Sequence, residues 1–244
     1  MTTPAADLPL RRVTVRDDVP DPDAWYWGLP AVAQLRTDGL PLASVTVLVG
    51  ENGSGKSTLV EAIAHSWRAG LTAQVNHWGP TPSAEDAALW RDLRLAGNWP
   101  RPQGGVWLRG EAMHGLFAGI DSAAVELRAF DGVPLNHRSH GEGFLALLES
   151  RTTERGLWIL DEPESALSFR SSLRLLALLA GVAETGSQVL LATHSPVLAA
   201  LPGALIYELD GDGFTAREWA ELDLVQDWQA FFDDPRRLLS YLLD

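Results

Sequence analysis

Residues 49–58, VGENGSGKST, set Gly50, Gly55, Lys56 and Ser57 at the spacing G-x-x-x-x-G-K-S. Glycines so spaced let the backbone wrap an anion with its N–H groups turned inward, and a helix starting near Lys56 adds its dipole. Glu51, Asn52, Gly53, Ser54 and Thr58 complete the expected phosphate cradle. Lys56 is the only lysine in 244 residues, against 18 arginines. Between the β- and γ-phosphates of a triphosphate the loop needs a compact ammonium, whereas a planar guanidinium suits flat bidentate partners. The Ser57 hydroxyl is the expected Mg²⁺ ligand. This is the Walker A pattern, and its context, after an apolar strand and before a helix, is the one the chemistry requires.

Two adjacent carboxylates end a second apolar run, LWILDE: Asp161 and then Glu162. Asp161 is expected to support Mg²⁺, and Glu162 to orient and deprotonate an attacking water. An isolated pair before Pro163 would read instead as an acidic helix cap. The phosphate loop upstream decides for chemistry. His194, in LLATHSP, follows a third apolar run and is expected beside the γ-phosphate and the water.

The elements that must position these groups are legible too. VTVLVG (45–50), GLWILD (156–161) and QVLLA (188–192) are apolar runs of strand length, and KSTLVEAIAHSW (56–67) and SFRSSLRLLALLAGVAE (168–184) have helical periodicity. Buried strands alternating with helices predict an α/β fold, a mostly parallel sheet flanked by helices on both faces. Residues 71–105, rich in Pro, Gly and polar side chains, read as an insertion with one short helix around 84–94. From about 204 the chain reads as strand, hairpin turn at DGDG, strand and helices to 244. A single domain over 1–244 is expected.

Composition narrows the function. Hydrophobic residues make up 46% and charged residues 21%, values of a folded globular chain. With no cysteine there is no disulfide framework and no thiolate chemistry. No stretch approaches the ~18 apolar residues of a membrane span, so a soluble, cytoplasmic protein without membrane insertion is expected. A net charge of −13 disfavours a broad nucleic-acid surface and leaves only a local basic groove for such a partner. Trp25-Tyr26-Trp27, upstream of the phosphate loop, is a packing cluster or an adenine-stacking platform; with 10 tryptophans in the chain, packing is the simpler reading.

RSHGEGFLALL (138–148) discriminates among phosphate-loop families. Ser139, Gly141 and Glu142 resemble the Ser-Gly-Gly-Gln signature of ATP-binding-cassette (ABC) proteins, with His140 and Glu142 as variants. Signature, then Asp161, then SALS (165–168), then His194 is the order of signature, Walker B, D-loop and switch histidine in that superfamily. SHGE, LDEPESALS and ATHSP together look most like small stand-alone AAA-type ATPases related to the heads of chromosome-maintenance and recombination-repair ATPases. The resemblance spans roughly 40–210. It implies a P-loop fold with a small antiparallel part and a signature-helix subregion, ATP and Mg²⁺ as ligands, and an ATP-dependent homodimer. Each nucleotide would lie between the P-loop of one subunit and Ser139, His140, Gly141 and Glu142 of the other.

Two departures stand out. The Q-loop glutamine is not where the family has it: Gln74 comes early, Gln103 precedes the strand VWLR, and Glu111 is the substitute best placed after it. The 80-odd residues between Thr58 and Ser139 carry no heptads, so a long coiled-coil arm is absent. The expected activity is therefore ATP hydrolysis in DNA maintenance, defence or another regulatory role, with an effector protein as a further partner. Alternatives are the ATP-binding subunit of a membrane transporter and a P-loop small-molecule kinase.

Overall fold

The computed structural model describes residues 8–19, 21–69, 88–98, 102, 104–110, 137, 139–153 and 155–243. The chain begins with β1 (Arg12–Val15), a 3-10 turn (Trp25–Gly28), α1 (Pro30–Thr37), β2 (Leu40–Pro41), β3 (Val45–Gly50) and α2 (Lys56–Ala69). Then come α3 (Leu89–Asp92), β4 (Leu93–Ala96), β5 (Gly104–Arg109), α4 (His140–Glu149) and β6 (Gly156–Asp161). A 3-10 turn (Pro163–Ala166), α5 (Phe169–Glu184), β7 (Gln188–Ala192) and α6 (Pro196–Ala199) follow. The chain closes with β8 (Leu205–Asp210), β9 (Gly213–Arg217), a 3-10 turn (Trp219–Glu221), α7 (Asp223–Asp233) and α8 (Pro235–Leu243).

The larger described sheet runs β5-β6-β7-β3-β8-β9. All its pairings are parallel except β8 with β9, the hairpin at Asp210–Gly213. Strands β3, β6 and β7 are buried nearly end to end, which is why they read as apolar runs rather than as alternation. Val47, Trp158, Leu160 and Leu191 belong to one core layer with Phe144 and Leu148 of α4 and Leu175 and Leu179 of α5. Leu48, Leu157, Ile159 and Leu190 belong to the other, with Leu59, Ile63 and Trp67 of α2. Helices thus cover both faces, as the strand pattern predicts. In α5 the buried Ser172, Leu175, Leu179 and Val182 lie three or four residues apart on one face, and the Ser168 hydroxyl caps the helix by accepting the Ser171 N–H.

The smaller sheet is antiparallel, β2-β1-β4. Of the stretch 71–105, residues 71–87 lie outside the described residues, β4 pairs with β1, and residues 104–105 open β5. Where a helix is predicted around 84–94, the described residues hold a helix only over Leu89–Asp92. From Leu93 onward the alternation of buried and exposed residues suits the free edge of β1, whose ladder replaces helical hydrogen bonds.

Parallel register brings the strand ends together. Arg109 lies opposite Asp161, and Ala192 lies opposite both Asp161 and Leu48. Gly50, Arg109, Asp161 and Thr193 therefore emerge at one sheet edge, where open α/β sheets place their ligands.

Candidate active site

After Gly50 the chain turns through residues 51–55 and enters α2 at Lys56. Gly53 and Gly55 have φ of 83° and 98°, a left-handed conformation that disfavours any side chain. The loop closes on its own lysine: Lys56 Nζ donates to the carbonyls of Gly50 and Glu51, each at 2.8 Å. Lys56 is only 3% exposed, and burial pushes its ammonium pKa down against the opposing pull of Glu162, Asp161 and Glu164. Ser54 Oγ is buried in the same loop without a partner among the described residues.

Ser57, in the first turn of α2, donates its hydroxyl to Asp161 Oδ1 at 3.1 Å. Loss of solvation raises the Asp161 carboxyl to about 6, even though Arg109 and the Ser57 hydroxyl pull it down. A serine and a carboxylate oxygen side by side are hard donors that fit Mg²⁺. That ion takes few protein ligands and fills its shell with water and phosphate oxygens. Among the described residues no group of three or more His, Cys, Asp or Glu could hold a metal ion.

Glu162 has φ 47° and ψ 50°, and it is the one described non-glycine residue at positive φ. A left-handed non-glycine residue costs about 1–3 kcal/mol and tends to mark functional turns. Its N–H donates to the Ala192 carbonyl at 2.9 Å, fixing the turn to the neighbouring strand. Its Oε1 lies 3.2 Å from His194 Nε2. Glu164, two residues on, accepts the His194 backbone N–H through Oε1, and its Oε2 is buried with no partner among the described residues.

A pocket opens over this edge, lined by Trp25, Leu29, Asn52, Gly53, Gly55, Lys56, Ser57, Thr58 and Glu162. Tyr26 and Trp27 anchor the turn that brings Trp25 there. The buried Tyr26 hydroxyl donates to Asp92 Oδ2 at 2.6 Å, and burial with that bond pushes its pKa up. Trp27 Nε1 donates to the Asp21 carbonyl, and the Arg36 guanidinium lies 4.0 Å from the Trp27 ring centre. Trp25 itself stays 63% exposed at the pocket mouth.

The residues that resemble a signature lie elsewhere. Ser139 precedes α4, and the Glu142 carboxylate accepts both its N–H (3.1 Å) and its Oγ–H (2.7 Å), closing the helix start. His140 is the first residue of α4. Gly141 packs on the turn after Glu162, where a Cβ would sit 3.4 Å from the Ala166 carbonyl oxygen and from Ser171 Oγ. None of Ser139, Gly141 or Glu142 lines the pocket. Glu111 lies outside the described residues. Gly110 before it presses on the Glu162 backbone so closely that a Cβ would meet that carbonyl oxygen at 2.2 Å.

Three residues at this edge escaped sequence reasoning: Arg109, Glu61 and Glu164. Arg109 carried a signal, since it ends an apolar strand just as Asp161 does. Glu61 carried a weaker one, four residues after Ser57 on the same helix face.

Residues 143–200 match the family model "AAA domain, putative AbiEii toxin, Type IV TA system". The cytochrome c biogenesis ATP-binding export protein CcmA of Cupriavidus necator is 32% identical over 178 residues, 67% of this chain and 74% of that protein. The protein of the same name from Rhizobium johnstonii is 29% identical over 170 residues, covering 65% of this chain and 79% of its own. Among solved structures, "an inward-facing conformation of a putative metal-chelate type ABC transporter" superposes with a TM-score of 0.50. That match has 17% identity and covers 91% of this chain and 89% of the other, a likeness of fold. The Walker-type loop, the parallel sheet and a relative matched over three quarters of its length give one conclusion: the chain belongs to the ABC-type P-loop ATPases, enzymes that bind and hydrolyse ATP.

Proposed function

We propose that this chain hydrolyses ATP with Mg²⁺ as a head-to-tail homodimer, in a cytoplasmic, non-transporter role such as DNA maintenance, defence or regulation. The carrying observation is a division of parts. Lys56, Ser57, Asp161, Glu162 and His194 converge at one sheet edge, while the signature at Ser139 and Gly141 stands off the pocket. A second copy turned head to tail would supply that signature, bringing the start of α4 to the nucleotide.

Lys56 and the backbone of 50–58 hold the triphosphate, and Trp25 offers its exposed ring to the adenine. Ser57 and Asp161 would hold Mg²⁺, which would supply counter-charge to the phosphates. Glu162 takes the proton of the attacking water as that water bonds to the γ-phosphorus and ADP departs. His194 keeps the Glu162 carboxylate turned inward across their 3.2 Å contact.

The non-transporter reading is supported by Gly110 and Glu111 after β5, where a transporter subunit would have a glutamine to couple to membrane helices. A second reading, the ATP-binding subunit of an exporter, is favoured by the relatives named ATP-binding export proteins. Among the described residues no helix is long and apolar enough to cross a membrane.

Glu162→Gln tests both readings. Losing a positioned general base lowers turnover ~10²–10⁴-fold, and ATP then converts the variant to a stable dimer on size-exclusion chromatography. Near-normal hydrolysis removes Glu162 from the role. Recovery of a multi-span membrane protein with the ATP-trapped variant, from detergent-solubilised cells, decides for the exporter.

A further inference from the structure

The acidic edge of the sheet carries a cation of its own. Arg109 stands directly opposite Asp161 in the parallel register, with Nε 3.6 Å from Asp161 Oδ2. Its Nη1 lies 3.4 Å from Oε1 of Glu61, and Nε2 of His65 is 3.5 Å from that same oxygen. The other oxygen of Asp161 is taken by the Ser57 hydroxyl. Arg109 is therefore shared between two carboxylates, one of them half of the proposed metal pair.

Three physical points give this sharing a function. Asp161 is only 4% exposed, and an ionised carboxylate so deeply buried needs a counter-charge. A divalent ion at Ser57 and Asp161 would repel a guanidinium on the same carboxylate, so the two cations would compete for its charge. Both Arg109 contacts, at 3.4 and 3.6 Å, exceed the 2.7–2.9 Å of a tight charge-assisted bond. Arg109 is held by attraction rather than locked, and Glu61 is already in contact to receive it.

We infer that Arg109 is the resident counter-ion of the metal site: it neutralises Asp161 while no metal is bound and passes to Glu61 when Mg²⁺ arrives. It is a positioning residue for Asp161, and Glu61 sets how readily it leaves. The inference rests on the reading of Ser57 and Asp161 as the metal pair.

The test is a Mg²⁺ titration of the full chain with a fluorescent, non-hydrolysable ATP analogue, read by anisotropy. Arg109→Gln removes the competitor and lowers half-saturating Mg²⁺ several-fold. Glu61→Gln leaves Arg109 to Asp161 alone and raises it several-fold. The double variant matches Arg109→Gln, because Glu61 acts only through Arg109. If the double variant instead shows the sum of the two single effects, the residues act as independent charges and the inference fails. It fails equally if Arg109→Gln leaves half-saturation unchanged or raises it. Should Arg109→Gln not fold, Glu61→Gln carries the test: an unchanged or lowered half-saturation overturns the inference. A wild-type protein whose analogue binding ignores Mg²⁺ overturns the metal pair itself, a result distinct from parallel behaviour of the variants.

Discussion

Glu164 accepts the backbone N–H of His194 in the loop where Glu162, two residues earlier, meets the imidazole of the same histidine at 3.2 Å. His194 is thus held at both ends by one segment, which the left-handed Glu162 and the Pro163 turn fold back on itself. A carboxylate acceptor for a partly buried N–H is worth about 1.5–3 kcal/mol. Glu164→Ala should therefore misplace His194 and lower kcat roughly 10-fold or more, while the KM for ATP, set by the P-loop, stays within about twofold. Glu164→Gln keeps one carbonyl oxygen for the N–H and should recover most of the loss. Steady-state kinetics of the two variants checks this; equal losses in both would show that the charge, not the bond, matters.

Asp161 makes a prediction of opposite sign from most carboxylates. Burial raises its pKa from 3.8 to about 6, so between those values the folded state binds more protons than the unfolded one. Stability from this group is then present at low pH and is lost as pH rises through about 6. At pH 8 the ionised, buried carboxylate costs up to ~3 kcal/mol, since each tenfold change in proton affinity is worth about 1.4 kcal/mol. Asp161→Asn, which keeps an acceptor for Ser57, should raise the Tm of nucleotide-free protein by several degrees at pH 8. The gain should fall to about half by pH 5 and approach zero only below about pH 3.8, the unfolded value. Melting in EDTA across that range measures it, and a pH-independent difference would contradict the raised pKa. If Ser57 and Asp161 hold the proposed Mg²⁺, this edge trades stability for binding, as active sites often do.

Lys56 allows a chemical test that few chains offer. Because the sequence has no other lysine, an amine-reactive acyl-phosphate ATP probe has only the α-amino terminus as a competing target. Burial already depresses the Lys56 pKa, which favours the reactive neutral amine. Mass spectrometry of the labelled protein should find the acyl group on Lys56, and excess ATP should abolish it. Labelling that ignores ATP would reduce the P-loop to a turn.

What the sequence disclosed and what it hid divide along a physical line. The P-loop, Asp161, Glu162 and His194 were legible because each sits at the end of a continuous apolar run, and parallel strands buried on both faces must bring such ends together. The pairings Arg109–Glu61 and Glu164–His194 were hidden because they depend on how a helix and a loop settle on the finished sheet, 48 and 30 residues away in sequence. Strand β4 was hidden for another reason. Its neighbours read as helix, and only the free edge of β1, 80 residues earlier, tips Leu93–Ala96 into a ladder.

The proposed sharing of each site between subunits is tested by mixing two inactive variants. Lys56→Ala removes the ammonium that the loop closes around, and Ser139→Arg places bulk and charge at the start of α4, where Glu142 now holds a small hydroxyl. Each should be nearly inactive alone. In a mixed head-to-tail dimer both defects fall in one composite site. The other site joins an intact Lys56 to the partner copy's intact Ser139, and it should turn over. Random pairing makes about half of the dimers mixed, each with one working site of two, so recovery should approach a quarter of wild-type activity if sites act independently. Cooperativity between the sites lowers that ceiling without removing the gain. If each chain used its own signature, every chain would carry a defect and mixing would restore nothing. Differently tagged chains, purified in tandem before assay, leave only mixed dimers, for which the ceiling rises to about half of wild type. A flat result in that preparation would defeat the shared site while leaving the single-chain geometry of Lys56, Ser57 and Asp161 untouched.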